Sequence, residues 1–214
     1  MPTNPTSFQD TVALLARRLN DADLPGALAQ LSMAPGYRAD ISRVTIHEKK
    51  CVEAAVLALV VPAEGGSLVL TVRRPTLKHH GGQVSFPGGR REAGESLVDT
   101  ALRECHEEIG VEPADVTVLG ALTPLFIPPT HFCVYPFVAW TASSHLAPGE
   151  DEVERVITLP ISRLNAADLR ATHRRTFADK EYDVPHYAIA GEVVWGATAM
   201  ILGELAAAIR EEDD

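Results

Sequence analysis

The chain lacks any apolar run long enough to cross a membrane, because a span needs about 18 or more consecutive apolar residues. Its longest apolar run, from Ala54 to Val61, ends at Pro62 and is typical of a buried strand. The N-terminal stretch MPTNPTSFQD has neither a basic region nor the apolar region that would follow it in a secretory leader. We therefore expect a cytoplasmic protein.

Cysteine is scarce, and the three cysteines, Cys51, Cys105 and Cys133, are widely spaced. An odd number without a CxxC pair supports neither a disulfide framework nor a cysteine metal site. We expect all three to be reduced and to serve packing. The chain also has no internal repeat, low-complexity tract or clear linker, so one domain is the simplest organisation.

The formal net charge is −10, which argues against a general affinity for nucleic acid or for an anionic membrane surface. From Arg73 to Arg91, however, the chain contains no Asp or Glu. This basic segment includes Arg73, Arg74, Lys78, His79, His80, Arg90 and Arg91. It is a candidate anion-binding segment, and a solvated basic loop is the alternative.

The pattern of apolar residues predicts several helices and strands around a mixed sheet. We expect helix from residue 7 to about 31, near Leu164 to Arg170, and from about Ala197 to Ile209. We expect strands at Val52 to Val61, Leu68 to Arg73, Val116 to Leu122, Phe132 to Trp140, Val153 to Leu159 and Tyr187 to Trp195. The order of elements predicts an α/β fold with helices on both faces of the sheet.

A further helix is predicted between a capping signature, Ser96 with Asp99, and a stop at Gly110. Glu104, Glu107 and Glu108 lie on one arc of this helix, beside its apolar face. Like charges at this spacing repel by about 0.2–0.5 kcal/mol per pair. Carboxylates that converge in this way can bind Mg²⁺ or Mn²⁺, although a solvated acidic face would look the same.

The residues around this helix resemble the signature of the Nudix hydrolases, G-x5-E-x7-R-E-U-x-E-E-x-G-U, in which U is a bulky apolar residue. The signature is matched at Gly89, Glu95, Arg103, Glu104, Cys105, Glu107, Glu108, Gly110 and Val111. Only Cys105 departs from the usual aliphatic residue, and a free cysteine packs as a small apolar side chain. The resemblance implies an α/β/α sandwich over residues 51–214, with the box at 89–111 and residues 1–50 as an added helical segment.

The same resemblance implies a role for each residue of the box. Glu104 and Glu108 would bind a divalent cation, Mg²⁺ or Mn²⁺, and Glu107 would be a further ligand or a general base. Arg103 and Glu95 would orient the helix and the preceding loop through a charge-assisted pair. Gly88 and Gly89 would let the backbone approach closely.

The segment before the box resembles L-L-T-x-R-S-x3-R-x3-G-x3-F-P-G-G, the pattern of the coenzyme A pyrophosphatase branch of that family. Val69, Leu70, Thr71, Arg73, Gly82, Phe86, Pro87, Gly88 and Gly89 are in register, whereas Val69, Arg74 and Lys78 replace Leu, Ser and Arg. The resemblance implies cleavage of coenzyme A to 3′,5′-ADP and 4′-phosphopantetheine. Substrate contacts would come from Arg73, Arg74, Lys78, Phe86, Gly88 and Gly89.

Several alternatives stay open at this point. The diphosphate could belong to ADP-ribose, a dinucleotide or a nucleoside triphosphate, and the domain could instead be a sensor that binds without cleaving. Glu152, in the acidic stretch GEDEVE, is a candidate general base or metal ligand, and a solvated loop is the other interpretation. Residues 1–50 could form a cap, a homodimer contact or simple packing.

Overall fold

The computed structural model describes residues 7–20, 24–38, 40, 42, 44–47, 49–77 and 80–210. Four α-helices and eleven strands form within these residues. The helices are α1 (Phe8–Asn20), α2 (Gly26–Leu31), α3 (Leu97–Ile109) and α4 (Gly196–Ala208). The strands are β1 (Val52–Val61), β2 (Ser67–Arg73), β3 (Val84–Ser85), β4 (Gly88–Arg90), β5 (Val116–Ala121), β6 (Leu125–Ile127), β7 (Phe132–Thr141), β8 (Val153–Pro160), β9 (Arg170–Phe177), β10 (Lys180–Ile189) and β11 (Glu192–Trp195).

The main sheet has eight strands and is mixed. Its central path runs β3-β2-β1-β7-β5, while β4 pairs with β1, β6 with β7 and β8 with β2. Strands β1 and β7 are parallel, with Val52 opposite Phe132 and Val60 opposite Trp140. The apolar run of β1 suits this central position, because a strand covered on both faces has no solvent-facing side to make polar.

The two faces of this sheet carry different helices. Successive residues of β1 alternate between two hydrophobic clusters, since side chains of a strand point to opposite faces in turn. Ala55, Leu57 and Leu59 pack in the cluster that includes α3. Ala58 and Val60 pack in the cluster that includes α4. The predicted α/β/α arrangement with a mixed sheet is confirmed.

The N-terminal segment packs against the α4 side of the sheet. Leu15, Met33 and Val44 belong to the same hydrophobic cluster as α4. A buried polar contact adds to this packing: the fully buried Glu204 of α4 accepts a hydrogen bond of 2.8 Å from Gln30 Nε2. The backbone N–H of Thr123 donates to the same carboxylate at 3.0 Å. Because a buried carboxylate requires such partners, these bonds hold α2 against α4.

The chain after β8 differs from the sequence prediction. The helix expected near Leu164 to Arg170 is wrong: two 3₁₀ turns, Ile161–Arg163 and Ala167–Leu169, lead instead into strand β9. The single strand expected at Tyr187 to Trp195 is two strands, separated by Ala190 and Gly191, which both have positive φ angles. Strands β9, β10 and β11 form a second, antiparallel sheet. Three arginines and one histidine interrupt the apolar periodicity of β9, so its pattern does not indicate a strand.

The expectation that all cysteines are reduced is also wrong. Cys51 and Cys133 form a disulfide, with their Cα atoms 5.6 Å apart and 82 positions between them in sequence. The parallel pairing of β1 and β7 brings them together, and this register is not visible from cysteine spacing. Cys105, on α3, is a buried free thiol, as expected, and burial raises its pKa to about 12. Within the described residues, no helix is long and apolar enough to cross a membrane.

The disulfide can be tested by counting thiols. In denaturant without reductant, alkylation followed by mass spectrometry should modify one cysteine per chain, Cys105, and reduction should raise the count to three. Reduction should also lower the free energy of unfolding by about 2–4 kcal/mol, because a cross-link over a long loop restricts the unfolded chain. Three alkylated cysteines before reduction would contradict the pairing.

Candidate active site

Helix α3 is bounded by the capping residues that the sequence predicts. Ser96 accepts a hydrogen bond from the backbone N–H of Asp99, whose carboxylate accepts one from the backbone N–H of Ser96. The helix ends at Gly110, which has a φ angle of 72°, a conformation that glycine adopts without steric cost. Its inner face buries Ala101, Cys105 and Ile109 completely. Because this face is held against the sheet, the next face carries its glutamates along the edge of the core.

Arg103 is the centre of an ion-pair network at one end of this face. Its Nε lies 2.6 Å from Glu95 Oε1, and its Nη1 lies 2.9 Å from Glu104 Oε1 and 3.2 Å from Glu107 Oε2. Its Nη2 donates to the carbonyl of Arg90 at 3.3 Å. The expected pair between Glu95 and Arg103 is therefore present. The network joins the loop before α3, the helix itself and strand β4.

Glu108 belongs to a second group of charges, at the end of β2. Its side chain is only 5% exposed, and Thr71 Oγ1 donates to it at 3.3 Å. Arg73 lies between two carboxylates, with Nη1 3.5 Å from Glu108 Oε1 and Nη2 2.8 Å from Glu152 Oε2. Glu152 comes from the loop before β8, so β2 and β8 position this group together. Arg73, Glu108 and Glu152 are predicted from the sequence, whereas no role is predicted for Thr71. Its position two residues before Arg73, on the same face of β2, could have indicated that it belongs to the site.

The pKa values of these carboxyl groups differ according to their surroundings. Burial raises the pKa of Glu108 to about 7, although Arg73 and the hydroxyl of Thr71 oppose the shift. Burial also raises the pKa of Glu104, which the contact with Arg103 partly offsets. In contrast, the hydrogen bond from Arg103 lowers the pKa of Glu95 to about 2. The arginines therefore do not fully compensate the negative charge at Glu104 and Glu108.

Two glycines leave room for this arrangement. A Cβ atom at Gly89 would lie 2.4 Å from the carboxyl carbon of Glu104, far inside van der Waals contact. A Cβ atom at Gly88 would lie 2.4 Å from the carbonyl oxygen of Ala55 on β1. Strand β4 can therefore lie between β1 and the glutamates of α3 only because these two residues have no side chain.

The donor set suits a hard divalent cation, since carboxylate oxygens are the ligands that Mg²⁺ and Mn²⁺ prefer. The raised pKa values of Glu104 and Glu108 show where additional positive charge would stabilise the carboxylates. Among the described residues, however, no three Asp, Glu, His or Cys side chains are grouped closely enough to hold a metal ion. Arg73 and Arg103 instead occupy positions between the carboxylates.

The other predicted site residues differ in their exposure and in their distance from the carboxylates. Glu107 is 56% exposed and contacts Arg103 at 3.2 Å. Arg74 is exposed, and its backbone N–H donates to the carbonyl of Glu152. Phe86 is buried in the cluster on the α4 side of the sheet, away from the carboxylates of α3. Lys78, like His79, lies outside the described residues.

Known proteins resemble this chain over much of its length. The model of the NUDIX domain matches residues 52–180. Uncharacterized Nudix hydrolase NudL of Pectobacterium atrosepticum is 33% identical over 190 residues, which cover 85% of this chain and 91% of that protein. Nudix hydrolase 3 of Caenorhabditis elegans is 34% identical over 166 residues, which cover 69% of each chain.

Solved structures of Nudix proteins also resemble this chain. A Nudix hydrolase from M. smegmatis, RenU, has a TM-score of 0.43 at 25% identity, with 55% of this chain and 74% of that chain covered. A MutT/nudix family protein from Enterococcus faecalis has a TM-score of 0.49 at 17% identity, with 74% and 62% covered.

The fold, the complete box and the match over residues 52–180 define the class of this protein. The chain belongs to the Nudix hydrolase family. It is an enzyme of the kind that hydrolyses diphosphate bonds in small nucleotide-derived substrates, and members of this family generally use divalent cations such as Mg²⁺ or Mn²⁺.

The close contact at Gly89 gives a test of the site. Gly89→Ala should displace the carboxylate of Glu104, because the added methyl group would overlap it. We expect diphosphate hydrolysis to fall by at least about tenfold, while the melting temperature changes little, since the carboxylate is the movable end of a side chain. Gly36→Ala is the matched control, because its Cβ would lie at an ordinary 3.4 Å from Tyr182. Equal activity in both variants would show that the position of Glu104 is not critical.

Proposed function

We propose that this enzyme hydrolyses the diphosphate of coenzyme A or acyl-coenzyme A, with Mg²⁺ or Mn²⁺ as cofactor. The products would be 3′,5′-ADP and 4′-phosphopantetheine or its acylated form. The observation that carries the proposal is the joining of two sequence patterns in space. Arg73, from the coenzyme A pattern, contacts Glu108, from the Nudix box, at 3.5 Å.

The same segment supplies the inner wall of the site. Thr71 donates a hydrogen bond to Glu108. Gly89, where the coenzyme A pattern meets the box, lies directly against the carboxylate of Glu104. A diphosphate placed near Gly89 would therefore meet the carboxylates of α3 and the residues of β2 together. This arrangement supports a role for the pattern in holding the substrate, and not only in building the sheet.

In the mechanism, Glu104 and Glu108 would hold the cation, with Glu107 or Glu152 as a further ligand. When bound, the cation supplies charge neutralisation of the diphosphate and a bound water of lowered pKa. Arg103 keeps Glu104 in place, because Glu95 fixes the other edge of its guanidinium. The position of the ligands thus depends on a pair of residues that need not touch the substrate.

The water that attacks phosphorus must lose a proton to a base within hydrogen-bond reach. Glu107 and Glu152 are the candidates, since their side chains are 56% and 55% exposed and reach the edge of the site. Glu108 is less suited to this role, because its side chain is only 5% exposed and is assigned to the cation. On product formation, the leaving phosphate accepts a proton from solvent or from the same base.

Product analysis tests the proposed function. The protein should be incubated with Mg²⁺ or Mn²⁺ and, separately, with coenzyme A, ADP-ribose, a dinucleotide and a nucleoside triphosphate, and the products separated by chromatography. We expect 3′,5′-ADP from coenzyme A at a higher kcat/KM than any product from the others. Preferred cleavage of another substrate would replace coenzyme A in the proposal, and no cleavage of any would indicate a sensor.

The role of Glu108 can be tested by Glu108→Gln. The amide keeps the shape of the side chain but cannot bind a divalent cation with the same charge, so kcat should fall by about 100-fold or more. Folding should be preserved, because burial already raises the pKa of this carboxyl to about 7 and a neutral group suits the position. Glu112→Gln, at a carboxylate that is 66% exposed beyond α3, is the control. Near-normal turnover of Glu108→Gln would remove Glu108 from the cation site.

A further inference from the structure

An open cavity of about 750 Å³ lies at the start of β1 and β7, beside the end of β4. This volume is in the range of small-molecule sites. Its lining includes Lys49, Lys50, Arg90 and Arg91 on the basic side, and two acidic residues, Glu53 and Glu92. None of the glutamates of α3 lines this cavity.

The charges that line this cavity do not cancel. Arg91 and Glu53 neutralise each other through a contact of 2.6 Å. Three cationic side chains, Lys49, Lys50 and Arg90, then remain against Glu92. Among the described lining residues, the cavity therefore carries a net charge of about +2, in a chain whose net charge is −10. A concave basic surface of this kind concentrates anions.

The cavity adjoins the candidate active site at Arg90. Arg90 follows Gly89, against which the carboxylate of Glu104 lies, and the carbonyl of Arg90 accepts a hydrogen bond from Arg103. A substrate whose diphosphate lies at Gly89 can therefore extend along β4 towards Lys49 and Lys50. A second anionic group on such a substrate would enter a basic surface.

Arg73, one of the cations that the sequence suggests for a further phosphate, is already engaged by carboxylates. Arg73 contacts both Glu108 and Glu152, so its guanidinium already belongs to the carboxylate cluster. A phosphate monoester bound there would have to compete with two carboxylates. The two lysines of the cavity are exposed, and neither Glu108 nor Glu152 lines the cavity with them. The ammonium group of Lys49 also lies 5.5 Å from the centre of the Phe126 ring, a contact that leaves its charge in place.

We propose that the cavity lined by Lys49, Lys50 and Arg90 binds the phosphate monoester of the substrate, which in coenzyme A is the 3′-phosphate. This inference rests on the proposed function. The dianionic phosphate meets a net charge of about +2, and the lysines act as point charges that do not require one fixed geometry. The cavity thereby selects nucleotides with a phosphate on the ribose over those that have none there.

Direct binding tests the proposal without requiring turnover. Calorimetry should compare 3′,5′-ADP with AMP, which lacks the 3′-phosphate, on the full chain. The double variant Lys49→Ala with Lys50→Ala removes two charges from the cavity. Arg17→Ala with Lys180→Ala is the control, since it removes two exposed charges from α1 and β10, outside the cavity.

We expect the wild-type protein and the control to bind 3′,5′-ADP at least about tenfold more tightly than AMP. The cavity variant should lose most of this preference, and Lys49→Arg with Lys50→Arg should retain it. An unchanged preference in the cavity variant would overturn the proposal, as would equal binding of the two nucleotides by the wild-type protein.

The outcomes also separate this inference from the proposed function. If coenzyme A is cleaved while the cavity variant keeps its preference, the cavity is not the phosphate site and the proposed function stands. If the cavity variant loses the preference but coenzyme A is not cleaved, the phosphate site stands and the proposed reaction is wrong.

Discussion

The site depends on one guanidinium, that of Arg103. It contacts Glu95, Glu104 and Glu107 and donates to the carbonyl of Arg90, so one side chain links the loop, helix α3 and strand β4. Charge-assisted hydrogen bonds are roughly twice as strong as neutral ones, whereas neighbouring glutamates on a helix repel by only about 0.2–0.5 kcal/mol per pair. The attraction therefore prevails, and Glu104 and Glu107 can lie together on one side of α3.

Glu108 shows the limit of this compensation. It is almost completely buried, and its closest cation, Arg73 at 3.5 Å, is shared with Glu152. A charge in such a place is costly unless it is fully paired, which is why burial raises the pKa of this carboxyl to about 7. Stability alone would favour an apolar residue there. Buried, incompletely paired carboxylates with a raised pKa are instead typical of functional sites.

The sequence predicts most of the site because the signals there are local. The capping residues and the 3.6-residue period define α3, and the apolar run defines β1, each within one continuous stretch. The disulfide between Cys51 and Cys133 escapes prediction because it follows from the pairing of strands distant in sequence. Strand β9 escapes for another reason: its side chains are mostly exposed, so no alternation of apolar and polar residues marks it.

The same distinction between local and global applies to charge. An acidic chain with a net charge of −10 can bind an anionic substrate, because at about 0.1 M salt charges beyond roughly 10 Å are largely screened. Near Gly89, the order of charged groups along β4 therefore matters more than the net charge of the chain. Glutamates with unmet charge stand on one side and the basic residues that follow Gly89 on the other. Such an order suits a substrate that brings its own metal-bound diphosphate and carries a further anionic group beyond it.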